Sequence, residues 1–131
     1  MVAYNTTTYV WSWKAKRASG ANKAAAIAWM DSLPAIESHC VLDAGVTTVS
    51  IANSTPATNR RMLFLGNRLP FCWTETFSPN YPEECLTEIT GANYHHIPID
   101  TIFYPEFPGI GEEVFWVQLA QANGGTFTLA Q

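Results

Sequence analysis

Two imidazoles and a carboxylate stand within seven residues in Tyr94-His95-His96-Ile97-Pro98-Ile99-Asp100. Histidine and aspartate ligate metals, and histidine moves protons near neutral pH, so chemistry is sought here first. On an extended strand His95, Ile97 and Ile99 point one way, and Tyr94, His96, Pro98 and Asp100 the other. The histidines diverge, which argues against a shared metal ion. The spacing predicts His95 at a core margin and His96 exposed.

A nucleophilic site could still be assembled in space from Cys72 or Cys85 with His96 and Asp100. No local signature supports one. Cys72 lies between Phe71 and Trp73, and Cys85 follows Glu83-Glu84, whose charge disfavours a thiolate. His39, Cys40 and Cys85 lack the spacing of zinc ligands. Gly109-Ile110-Gly111 runs into Glu112-Glu113, which would repel a phosphate. The acid pairs Glu83-Glu84 and Glu112-Glu113 are adjacent acids at loop ends, whereas a glycosidase needs two acids facing each other across a cleft. The inventory predicts no catalytic residue, no metal, no cofactor and no small-molecule ligand.

Binding surfaces are the alternative. Exposed rings stack on sugars, and Trp11 and Trp13 would be the first platform to test for a carbohydrate-binding module. Lys14, Lys16, Arg17, Arg60 and Arg61 make a weak nucleic-acid footprint in a chain of net charge -4. No apolar window approaches the roughly 18 residues that span a bilayer, and MVAYNTTTYVWSWKAKR lacks the basic start and apolar run of a secretion signal. Neither nucleic acid nor membrane is expected as a partner. The three cysteines are an odd number without CxxC spacing, which predicts no disulfide framework and a reducing compartment.

The elements that must position these residues follow from periodicity. The 131 residues are one domain's worth, and 14% charged residues against about 25% in an average domain suggests surface turned to a partner. Tyr4 to Trp13 alternates as a strand, with Tyr9, Trp11 and Trp13 on a core-facing side. Residues 20–33 read as the one helix, capped by Ser19 and stopped by Pro34, with Ala26, Trp29, Met30 and Leu33 as a face to be laid on a sheet. Val46–Ala52, Arg61–Leu65, Phe71–Phe77, Cys85–Thr90, Ala92–Tyr104, Glu113–Gln121 and Thr126–Ala130 read as strands, with 53–59, 78–82 and 105–111 as loops. Arg61–Leu65, apolar on both faces, reads as a central strand covered on both sides. Asn123-Gly124-Gly125 reads as a hairpin turn. The fold class expected is α+β, a mainly antiparallel sheet or sandwich with one helix packed on it.

Charge is split along the chain. Seven bases against three acids give residues 1–68 a net +4, and eight acids without a base give residues 69–131 a net -8. Arg60, Arg61 and Arg68 are therefore expected to meet acids such as Glu83, Glu84, Glu112 and Glu113 on a neighbouring copy or on a host lattice, with Trp11, Trp13, Phe107 and Ile110 as apolar contributors. With MVAYNTTTYVWSW at one end and NGGTFTLAQ at the other, strand-forming, rich in polar residues and poor in charge, the chain resembles the small virion proteins of tailed bacteriophages: capsid cement, neck or tail components. That resemblance implies a non-enzymatic homo-oligomer, assembled in the host cytoplasm into a virion and held to itself and to other virion proteins by lent terminal strands and apolar contacts. The functions weighed against it are a carbohydrate-binding module and a small thiol or metal-dependent enzyme.

Overall fold

The computed structural model describes residues 1–34, 40–72, 78–106 and 111–130. In chain order the elements are β1 (Val2–Tyr4), β2 (Thr8–Val10), α1 (Gly20–Asp31), α2 (Val41–Asn53), β3 (Met62–Gly66), α3 (Tyr81–Ala92), β4 (Ile99–Phe103), α4 (Val114–Ala122) and β5 (Phe127–Leu129). β1 and β2 form a two-stranded antiparallel hairpin. β3, β4 and β5 form a second sheet, in that order and parallel throughout. The expected mainly antiparallel sheet with one helix is therefore corrected to an α+β arrangement of four helices and two small sheets.

The added helices explain the parallel pairing. Parallel neighbours need a long crossover, and α3 carries the chain from β3 to β4 while α4 carries it from β4 to β5. In all three segments corrected to helix the buried residues fall on one helical face. Val41, Gly45, Val49 and Asn53 are buried along α2 at intervals of four, a spacing that the Thr47, Val49, Ile51 alternation hides. Tyr81, Cys85 and Ile89 repeat that interval on α3, where Pro82 sits in the first turn without needing an amide partner. On α4 the buried residues are Phe115, Trp116, Leu119 and Ala120, one stripe of a short, nearly continuous apolar run.

The core lies between these helices and one face of the parallel sheet. Met62, Phe64, Ile99 and Phe103 point into it with Val49, Ile89, Phe115, Trp116 and Leu119. Thr101, fully buried, donates from Oγ1 to the Trp116 carbonyl at 2.9 Å and ties β4 to α4. Asn93 closes the other end of the layer. Its Nδ2 donates to the Ile97 backbone carbonyl and to Asn123 Oδ1 at 2.8 Å each, and its Oδ1 accepts from the Ile97 amide at 3.0 Å.

Four further expectations are corrected. α1 forms with Ser19 Oγ accepting from the Asn22 amide, but it buries no residue, so its apolar face is not laid on the sheet. Tyr4 to Trp13 is a hairpin turning at Asn5–Thr7, and Trp13, placed beyond β2, is 67% exposed rather than in the core. Asn123-Gly124-Gly125 ends α4 instead of turning a hairpin. Gly124 takes φ +64°, the Gly125 amide bonds the Ala120 carbonyl, and a side chain at Gly125 would strike the Ile99 carbonyl. Cys40 and Cys72 form a disulfide that joins the start of α2 to the segment after β3, while Cys85 is buried and takes no part in that bridge. Most of the expected strand at 71–77 lies outside the described residues.

Candidate functional site

The histidine stretch that first suggested chemistry forms the turn from α3 into β4. Tyr94, His95 and His96 are all exposed, His96 with φ +49°, so His95 does not sit at a core margin. Asp100 is held elsewhere. It accepts from Arg61 Nε at 2.7 Å and Nη2 at 2.6 Å, and from the Thr126 amide and hydroxyl at 2.9 and 2.7 Å. These bonds, the guanidinium's first, hold its carboxyl well below the usual carboxylate range. Among the described residues no group of three His, Cys, Asp or Glu side chains is disposed to hold a metal ion. No helix among them is long and apolar enough to cross a membrane.

The expected interface residues are dispersed. Arg60 Nη1 donates to the carbonyls of Ala52, Asn53 and Thr55 at 2.9, 3.1 and 3.4 Å, a cation on the negative end of α2. Arg61 pairs with Asp100, and Arg68 pairs with Glu106 at 2.6 Å. Arg60, Arg61 and Arg68 thus engage their own chain, and the split along the sequence is partly closed within the fold. Glu83 and Glu84 occupy the first turn of α3, where Glu84 accepts from the Ser78 hydroxyl, and Glu112 and Glu113 precede α4. Lys16 stands over the Trp11 ring at 5.0 Å, whereas Trp13 is exposed. Phe107 and Ile110 lie outside the described residues.

The structure instead assembles a site that no local motif announces. β3 pairs with β4 on one side, through bonds such as Met62 N–H to the Pro98 carbonyl and Tyr104 N–H to the Gly66 carbonyl. Alternation then turns the N–H and C=O groups of Leu63 and Leu65 to the outer edge. Along that edge runs a groove of about 680 Å³. Leu63 to Asn67 form one wall and Met1 to Tyr4 the facing wall; Ala44, Gly45 and Thr48 of α2 form the floor, with Met30 and Tyr104 at the rim. None of these side chains is charged. Tyr4 crosses the gap, its hydroxyl donating to the Leu65 carbonyl at 3.4 Å. Burial pushes the Tyr4 phenol above its ordinary pKa, so it remains a donor at neutral pH.

Leu63 and Leu65, on the sheet face away from the helices, are 57% and 54% exposed. The sequence of this strand suits a central position covered on both sides. The structure places it at an edge with one face bare. That disagreement is the one signal in the sequence that could have found the groove. Its chemistry is a row of backbone donors and acceptors above an apolar floor, which is equipment for holding an extended polypeptide. Compared with known proteins, the chain matches no protein-family model and no curated protein.

Proposed function

We propose that this chain is a non-enzymatic assembly protein that binds a partner polypeptide by taking an extended apolar segment into the groove beside β3. The observation that carries the proposal is a groove lined by uncharged side chains, running along a strand edge that no other strand among the described residues pairs. An unpaired edge is normally blunted by charge, proline or a covering element. Leu63 and Leu65 carry none of these, so the edge is suited to recognition.

The resemblance to small virion proteins of tailed bacteriophages supplies one setting for such a contact, with the mode changed. Val2–Tyr4 and Phe127–Leu129 pair within their own chain, so it would receive a strand here rather than lend its terminal ones. The test is calorimetric titration with a synthetic peptide, acetyl-Lys-Val-Ile-Val-Ile-Val-Lys-amide. Saturable binding at one peptide per chain is expected, with a Gly/Ser peptide of equal length and charge as control. No binding, or equal binding of both peptides, would overturn the proposal.

A further inference from the structure

The two walls of the groove belong to different sheets that share a floor. α2 packs against β1 and β2 of the hairpin and also against β3, yet β1 and β3 do not pair. Within the hairpin, Trp11 N–H bonds the Met1 carbonyl and Asn5 N–H the Thr7 carbonyl, which sets Ala3 opposite Tyr9 as the bonded pair between them. Alternation therefore turns the backbone groups of Val2 and Tyr4 away from β2, into the groove. Across from them stand the outward groups of Leu63 and Leu65. Among the described residues, the one bond that crosses is made by the Tyr4 side chain.

We infer that the groove is the seat of a single absent strand: an uncharged segment of about five residues, supplied by a partner polypeptide, that pairs with β1 on one side and β3 on the other. Resting on the apolar-segment binding proposed above, this occupant would unite the hairpin, itself and the three parallel strands into one sheet of six. Its length follows from the five residues of β3. Its lack of charge follows from the lining side chains, none of which is charged, so that an ionised side chain would lose water and find no ion-pair partner among them. Its side chains alternate between two surroundings. One set faces Ala44, Gly45 and Thr48, whose small size leaves room for Val, Ile or Leu, and the other lies beside Met30 and Tyr104. In its presence β3 would be paired along both edges, while the face that carries Leu63 and Leu65 stays open.

A central strand directs the amides of successive residues to opposite neighbours, so the two walls can be tested separately. Two versions of the acetyl-Lys-Val-Ile-Val-Ile-Val-Lys-amide peptide are made, one N-methylated at the three Val and one at the two Ile. Pairing with both walls predicts that each version binds at least about tenfold more weakly than the parent, through the loss of two or more hydrogen bonds. If one version alone weakens, the segment pairs with one edge and the six-stranded sheet is refuted, while the assembly function stands. If both versions bind like the parent, the groove holds an apolar chain without strand pairing, which also refutes the inference and leaves the function in place. Failure of the parent peptide to bind refutes both.

Discussion

Replacing Gly66 with Ala should be among the most damaging single-methyl changes in the protein. A Cβ at this position would lie within 2.5 Å of Trp116 Cε2 and nearer still to Cζ2 and Cη2. The indole has little freedom to retreat. It is 1% exposed, its Nε1 donates to the Arg68 carbonyl at 2.9 Å, its edge meets the Phe115 ring at 5.1 Å, and the Phe103 ring stacks at 6.5 Å. Overpacking a well-filled core costs about 1–3 kcal/mol. If the ring swings aside, the indole N–H loses its acceptor in a buried setting, at about 1–3 kcal/mol more. We expect a loss of about 3–4 kcal/mol in urea unfolding followed by circular dichroism. The W116F background removes the clashing atoms, so the double variant should be less destabilised than the sum of the singles by about 1.5–3 kcal/mol. A G66A loss below about 0.5 kcal/mol, or an additive cycle, would refute the packing described for β3 and α4.

Asn93→Ala should cost about 2–4 kcal/mol in the same assay, because it strands the Ile97 amide and carbonyl and the Asn123 oxygen in a buried turn; a loss under 1 kcal/mol would mean that water replaces them. Removing the Cys40–Cys72 bridge, which spans 32 residues, should cost about 3–4 kcal/mol by loop entropy. Thiol titration of the denatured, unreduced protein should find Cys85 alone, and three thiols would contradict the bridge. Asp100 has a folded pKa below its unfolded value of about 3.9. Its contribution is present above about pH 4 and is lost as pH falls below that. Asp100→Asn should therefore lower stability at pH 7 and flatten the decline between pH 4 and pH 3, and an unchanged acid profile would exclude the Arg61–Asp100–Thr126 cluster as its source.

How far the sequence was legible depends on how local each signal is. α1 was readable because Ser19 and Pro34 mark its ends, and β3, β4 and β5 because short apolar runs sit between turn residues. α4 was not, since the nine residues VFWVQLAQA fit a buried strand as well as a helix by periodicity. α3 was hidden by its Thr and Glu residues, with one buried position per turn. Losing those helices also lost the crossovers, and with them the parallel direction of the sheet. The disulfide joins residues that no spacing rule connects. The groove draws its walls from Met1–Tyr4 and Leu63–Asn67, segments distant in sequence, and its one local trace is a both-faced apolar strand that the fold leaves at an edge.

Amide hydrogen exchange, resolved to single residues by NMR with and without saturating acetyl-Lys-Val-Ile-Val-Ile-Val-Lys-amide, tests strand acceptance most directly. Leu63, Leu65, Val2 and Tyr4 turn their amides into the groove and should exchange at least about tenfold more slowly when the peptide is bound. Phe64 and Ala3, already bonded to β4 and β2, should change less. Protection absent from Leu63 and Leu65, or confined to a surface away from the groove, would contradict the account.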